Sequence, residues 1–148
     1  MRAVVQRVKN TRLFVDEKLI SEIPFGLTVF LGVKTGDTET QADWLMKKIA
    51  GLRIFEDEAG KMNLSVKDVG GEVLLVSQFT LYGDASHGNR PSFTLAERPE
   101  RADPLYEYAV KTLSSLGVTV KKGVFGGDMQ IMQHNDGPVT ILLEKEDE

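Results

Sequence analysis

Gly70-Gly71-Glu72-Val73-Leu74-Leu75-Val76-Ser77-Gln78-Phe79-Thr80-Leu81-Tyr82 is the most apolar stretch of this 148-residue chain. It reads as a strand from Glu72 to Tyr82, entered through two glycines. Leu27-Thr28-Val29-Phe30-Leu31-Gly32-Val33 is a dense β-branched and aromatic run, the pattern of a strand buried on both faces. These two runs make the fold sheet-based, and the remaining segments arrange themselves around them.

Before them, residues 2–8 and 11–16 read as two strands joined at Lys9-Asn10. A short strand from Leu19 to Ile23 is stopped by Pro24-Phe25-Gly26. After Val33, Gly36-Asp37-Thr38 offers an N-cap. The next segment sets Ala42, Leu45, Met46 and Ile49 on one face, which predicts an amphipathic helix ending near Gly51. Leu52 to Phe55 resumes a strand, and Glu56-Asp57-Glu58-Ala59-Gly60 is an acidic turn. That turn lacks the ligand pattern and closing Glu of a calcium loop, so a solvated turn is the expectation. A loop with Gly83, Gly88 and Pro91 leads to a second helix beginning near Pro104. Its stripe is Leu105, Ala109, Leu113 and Leu116, with Gly117 as C-cap. Strand-like runs at 118–122, 128–134 and 138–143 close the chain. The expected architecture is a single α+β domain over 1–148, a largely antiparallel, barrel-like sheet with two principal helices.

Composition limits the functional classes. A hydrophobic share of 41% with 27% charged residues is that of a globular protein. No apolar run approaches the roughly 18 residues needed to cross a bilayer. The start, Met1-Arg2-Ala3-Val4-Val5-Gln6-Arg7, alternates as a strand does and carries no signal-peptide apolar region, so the expected compartment is the cytoplasm. With no cysteine, thiolate catalysis and Cys-ligated metals are excluded. The net charge of −4 and pI near 5.3 argue against a broad phosphate-gripping surface, and DNA is not an expected partner. Arg2, Arg7, Lys9 and Arg12 form a small basic cluster that reads as a solvated strand face. The acidic end, Glu144 to Glu148, reads as a frayed tail.

Two segments carry polar chemistry. On an ideal strand Gln78 and Thr80 project to one side, just where the strand runs out. Ser77 or Thr80 as an activated nucleophile needs a base oriented by a third group. Only His87 and His134 supply imidazoles, at distant positions, so neither a triad nor a zinc site is expected. Backbone N–H groups at a strand-to-loop junction can instead face a developing oxyanion, each worth about 3–4 kcal/mol. Such a site suits an activated ester better than an amide. The second segment is Asn135-Asp136-Gly137-Pro138-Val139-Thr140, with a proline directly before a strand. An X-Pro bond is cis in only about 5–6% of folded cases, so spacing alone favours a trans turn.

Taken together, these stretches resemble the D-aminoacyl-tRNA deacylase family. The resemblance runs from Met1-Arg2-Ala3-Val4-Val5-Gln6-Arg7-Val8 through Leu52-Arg53-Ile54-Phe55-Glu56-Asp57, Lys61 to Ser65, Val76 to Tyr82, Gly88-Asn89-Arg90-Pro91-Ser92-Phe93 and Gly123-Val124-Phe125-Gly126 to Asn135–Thr140. It implies hydrolysis of the ester joining a D-amino acid to the 3′-terminal ribose of tRNA, without cofactor or metal. It implies a homodimer with sites at the subunit interface. Ser77, Gln78, Phe79 and Thr80 would form the catalytic strand end. Gly137 and Pro138, as a cis dipeptide from the partner subunit, would screen chirality with Val139, Thr140 and Met129. A backbone wall that rejects L side chains leaves glycine unrejected, so cleavage of glycyl-tRNA is expected too. Two mechanisms stay open. Thr80 is the nucleophile, or the backbone holds the ester while the ribose 2′-OH assists. The absence of an evident base favours the second. The departures are Gln133-His134, where family members more often carry aliphatic or acidic residues, and Gly83, where Ala is common.

Overall fold

The computed structural model describes residues 1–146. Its first strand, β1 (Arg2–Val15), runs for 14 residues without a break, where the sequence reading expects two strands joined at Lys9-Asn10. Those polar residues are exposed, yet the strand continues because its partner absorbs the irregularity. The pairing of β1 with the last strand, β8 (Met129–Glu144), shifts register on either side of Val8. These irregularities leave Arg7, Lys9 and residues 136–139 out of the ladder and keep the pairing on either side. The chain reverses only at Asp16-Glu17, whose φ angles of 50° and 65° make a two-residue hairpin turn into β2 (Lys18–Ile23).

β3 (Gly26–Gly32) precedes helix α1 (Glu39–Gly51), which starts where expected. Thr38 accepts the Thr40 N–H, and the Gln41 side chain reaches back to the Thr38 N–H at 2.7 Å. This reciprocal cap satisfies donors the helix leaves open. The strand expected over Leu52–Phe55 shrinks to β4 (Phe55–Glu56), which pairs with β5 (Met62–Leu64). The acidic turn is therefore a hairpin tip. Asp57 accepts the N–H groups of Ala59 and Lys61 at 2.9 and 3.0 Å. The Lys61 N–H is the strongest influence holding its carboxyl below the usual range.

β6 (Glu72–Ser77) stops five residues before the expected end at Tyr82. Helix α2 (Pro99–Ser115) begins five residues earlier than expected, with Pro99 in its first turn and Pro104 inside it. Proline suits the first helical position because its missing N–H has no partner there anyway. Leu116 is the C-cap, and Gly117 follows at a φ of 90°. β7 (Thr119–Lys122) leads to β8, a single strand of 16 residues whose pairing with β1 is interrupted at 136–139, between Thr140 opposite Gln6 and Asn135 opposite Val8.

The sheet order is β2-β1-β3-β6-β7, with β8 added to β1. The β1–β2, β1–β3 and β1–β8 pairings are antiparallel; β3–β6 and β6–β7 are parallel. Ser21 Oγ on β2 donates to the Lys122 carbonyl on β7, bringing the two outer strands together. The sheet is thus nearly closed into a barrel with α1 and α2 packed on it, in keeping with the α+β expectation.

β6 is buried on both faces. Val73 and Leu75 join the cluster under the helices, with Leu45, Ile49, Tyr106 and Leu113. Leu74 and Val76 join Val8, Leu13 and Ile23 in the second cluster. Full burial of each such side chain is worth about 1.5–3 kcal/mol. The acidic end is ordered through Glu146. The Lys145 N–H donates to the Met1 carbonyl at 2.9 Å and Glu146 pairs with Lys34 at 2.9 Å. The last two residues of the expected tail lie outside the described residues.

Candidate active site

The end of β6 builds one wall of a cleft. The Gln78 N–H makes a last bond to the Leu31 carbonyl at 2.8 Å. The backbone then tightens into a 3₁₀ turn over Phe79–Tyr82, with Leu81 N–H bonding to the Gln78 carbonyl at 3.2 Å. In such a turn the first N–H groups, here those of Phe79 and Thr80, precede any carbonyl the turn itself can offer. The Gln78 side-chain amide donates to Thr80 Oγ1. Gln78 and Thr80 therefore do lie together, through a turn and not through strand alternation.

The cleft encloses about 570 Å³ and is lined by Ser77, Gln78, Phe79 and Thr80, by Phe93 and the 96–99 segment, and by Phe125, Met129 and Ile131. Glu97 fixes the second wall. Its carboxylate accepts the Arg98 N–H at 2.9 Å and the Gly36 N–H at 3.1 Å. Burial alone pushes this carboxyl up, but the two N–H groups and the nearby Arg101 and Arg98 outweigh it and hold it below its ordinary range. Glu97 is thus ionised and fully engaged as a brace. Tyr106 ties the third wall to the first, its hydroxyl donating to the Leu75 carbonyl at 2.7 Å and accepting the Gly123 N–H at 3.2 Å. Burial raises the Tyr106 hydroxyl far above its usual range, so it serves as a neutral strut. Among the described residues, the ionisable side chains lining the cleft are Glu97 and Arg98. His87 and His134 are exposed elsewhere. A side-chain general base beside Thr80 is absent from this lining.

Met129 joins Ser77–Thr80 in the cleft; Gly137, Pro138, Val139 and Thr140 do not line it. Gly137 and Pro138 are exposed on β8, a strand paired only with β1. Their peptide bond is cis, against the trans turn that spacing alone favours and as the family resemblance implies. Val139 packs against the helix-side core, and Thr140 Oγ1 accepts from Gln6 at 3.4 Å.

Arg7 holds this segment. Its side chain is buried, its Nη1 donates to the Ile54 carbonyl at 2.7 Å, and its Nε donates to the Asp136 carbonyl at 3.1 Å. Asp136 and Glu56 carboxylates stand 3.5 and 3.9 Å away. Arg7 is therefore not part of a solvated basic cluster, and that reading is corrected. A signal was present in the sequence, since Arg7 shares the alternation of Ala3 and Val5, both buried. Gly137 is equally constrained. It sits at a φ of 130°, and a Cβ there would lie 2.8 Å from Val139 Cγ2 and 2.9 Å from the Val139 nitrogen. Phe93, Glu97 and Arg98 escape sequence reasoning as well. They come from a loop and a helix start without periodicity, and only folding brings them to the end of β6.

The family model described as D-Tyr-tRNA(Tyr) deacylase matches residues 4–144. A D-aminoacyl-tRNA deacylase of Thermotoga petrophila is 56% identical over 144 residues, 97% of each chain. One of Syntrophomonas wolfei is 55% identical over 146 residues, covering 99% of this chain and 98% of its own. Among solved structures, one described as c-Myc DNA Unwinding Element Binding Protein superposes with a TM-score of 0.93 at 42% identity, covering 99% of this chain and all of the other. A probable eukaryotic D-amino acid tRNA deacylase gives a TM-score of 0.82 at 16% identity over 96% of this chain and 97% of its own, a likeness of fold.

Proposed function

Because the chain belongs to the D-Tyr-tRNA(Tyr) deacylase family, a family of D-aminoacyl-tRNA ester hydrolases, we propose that its cleft works chiefly through backbone. The observation that carries this is the junction at Ser77–Thr80, where a 3₁₀ turn whose first N–H groups have no carbonyl within the turn lines a cleft whose carboxylate among the described residues, Glu97, is already engaged by backbone N–H groups. In this reading the Phe79 and Thr80 N–H groups receive the ester carbonyl as it becomes an oxyanion. The Gln78 and Thr80 side chains orient the aminoacyl group, and the neighbouring ribose 2′-OH assists attack. The carbonyl carbon gains a bond to water oxygen and loses its bond to the ribose oxygen, which leaves with a proton.

Chirality is screened by exclusion. Gly137 and Pro138 are exposed, follow the Asp136 carbonyl that Arg7 holds, and lie outside their own cleft; in this reading they close the cleft of a second copy. Met132 and Leu142, both exposed on β8 at 61% and 76%, give that face the apolar character of an interface. A wall of backbone rejects an L side chain by clash and makes no demand on a D side chain, which points away from it. Glycyl-tRNA, with nothing to reject, is accepted. One solved neighbour is named for binding DNA; the net charge of −4 here does not favour a broad phosphate-binding face. An RNA 3′ end needs few phosphate contacts. No helix of the described residues is long and apolar enough to cross a membrane; tRNA as substrate points to the cytoplasm.

Metal-free protein is expected to release D-tyrosine from D-Tyr-tRNA at least a hundredfold faster than L-tyrosine from L-Tyr-tRNA. Equal inertness would remove the enzyme reading, and equal cleavage would remove the chiral wall. Thr80→Ala is expected to keep the D-ester rate within about tenfold, the loss typical of a positioning hydrogen bond of roughly 1 kcal/mol. Complete loss of turnover with substrate binding intact would make Thr80 the nucleophile instead.

A further inference from the structure

An open groove of about 550 Å³ lies beside the cleft. It runs between the Thr35-Gly36 turn, Thr94 and the start of α2, with Arg98 and Arg101 on its rim. Ala96, Glu97 and Arg98 line both spaces, so cleft and groove share a wall. In a chain of net charge −4, the lining of this groove sets two arginines against one glutamate, Glu97, a local excess of positive charge beside the ester site.

These arginines are available. Their side chains are 83% and 63% exposed, and their present partners are Glu100 at 3.8 Å and Glu97 at 3.3 Å. The Arg98–Glu100 pair is exposed on both sides and worth about 0–1 kcal/mol, so it exchanges readily for a phosphate, while Arg101 keeps a largely exposed side chain as it faces the buried Glu97. Glu97 does not repel one strongly, because its carboxylate is buried and already takes the Arg98 and Gly36 N–H groups. Beside the groove, in the cleft wall, stands an aromatic pair. Phe79 and Phe93 meet edge to face at 5.2 Å and are 58% and 38% exposed. A cationic channel with exposed aromatic faces beside it is the combination that binds single-stranded nucleic acid: charge follows the phosphates, and bases stack without regard to sequence.

We propose that this groove is a phosphodiester site for the single-stranded 3′ end of the substrate RNA. Arg98 and Arg101 hold the phosphate on the 5′ side of the aminoacylated nucleotide, and Phe93 with Phe79 offers a stacking face to a neighbouring base. The inference rests on the deacylase reading of the cleft. The ribose that carries the ester also carries this phosphate, which therefore leaves the cleft within one nucleotide of the reacting carbon.

Two measurements separate the groove from the reaction. In the first, a fluorescent single-stranded oligoribonucleotide ending in CCA is titrated by anisotropy at several salt concentrations. The double variant Arg98→Gln/Arg101→Gln is expected to bind roughly tenfold more weakly than wild type, with a salt slope smaller by about 0.7 for each phosphate no longer neutralised. In the second, hydrolysis of D-aminoacyl-tRNA is compared with that of a D-aminoacyl ester of adenosine, which has no phosphate. The variant is expected to lose about fivefold more on the tRNA ester than on the adenosine ester, chiefly through KM. Unchanged oligonucleotide affinity and slope would overturn the groove, as would equal losses on both esters, since the arginines would then act on the cleft alone. If wild type cleaves neither ester while the variant still loses oligonucleotide affinity, the deacylase reading fails and the groove stands as an RNA site.

Discussion

Arg7→Ala is expected to lower folding stability by about 2–4 kcal/mol, within the range for breaking a buried charged hydrogen-bond network, and to relax discrimination between D- and L-aminoacyl esters at least tenfold. Arg7 is the only described residue seen to bond the carbonyls of both Ile54 and Asp136, at 2.7 and 3.1 Å. Removing it leaves the buried Ile54 carbonyl without this donor and frees the backbone directly before Gly137. If that backbone is the wall that excludes L side chains, loosening it admits them, while D-ester turnover, set by the Ser77–Thr80 junction, falls less. Arg7→Lys is an informative companion. Its single ammonium can reach one carbonyl or the other but lacks the planar fork that serves both, so partial recovery of stability with poor recovery of selectivity is expected. Urea denaturation gives the first quantity and paired D- and L-Tyr-tRNA assays the second. A variant with a wild-type D/L ratio would show that Arg7 does not govern the Gly137-Pro138 segment.

Gly26→Ala is expected to be the most damaging single methyl group in the fold. Gly26 pairs with Val8 of β1 on one side and with Glu72 of β6 on the other. Its φ is 147°, and a Cβ built there would fall 1.9 Å from the Glu72 carbonyl oxygen and 2.7 Å from the Glu72 nitrogen. Both are backbone atoms that cannot rotate aside. The parallel β3–β6 pairing must therefore part at its first residue, and this pairing aligns Leu31 with Ser77 at the far end, the floor of the cleft. A loss above about 4 kcal/mol is expected, in the exceptional class for point changes, with a melting temperature lower by roughly 10 °C or more. Calorimetry of the soluble fraction checks this. Gly60→Ala is the control, since it has a φ of 76° in a turn with open space around it. Equal small losses for the two would show that β3 and β6 can separate without disturbing the sheet.

Both results bear on why the site needs the whole molecule. The junction at Ser77–Thr80 depends on β6 being held to β3, and the exposed dipeptide depends on Arg7 reaching across from β1. The groove beside α2 depends on Glu97, which links the Gly36 turn to the helix start. The first two of these supports lie far from their clients in the chain, and the third joins the helix start to the distant Gly36 turn.

What the sequence determined by itself was local. Alternation and 3.6-residue periodicity placed most strands and both helices, because burial of one face leaves its period in the residues. The absence of cysteine removed thiolate chemistry, and the many stretches in order from Met1–Val8 to Asn135–Thr140 together pointed to the family. Three of the misplaced boundaries share one cause. Lys9-Asn10, Asn135–Pro138 and Pro104 carry turn or breaker signals, yet pairing and packing on either side of them carry the strand or helix through. Tertiary structure alone decided that β3, β6 and β7 run parallel, that β6 ends in a 3₁₀ turn, and which residues face the cleft. It also decided the fate of Arg7, whose partners lie 47 and 129 residues away. A buried guanidinium must find acceptors somewhere, but its own neighbours in sequence point along the strand and not at it. Only the closed sheet brings those two carbonyls within reach.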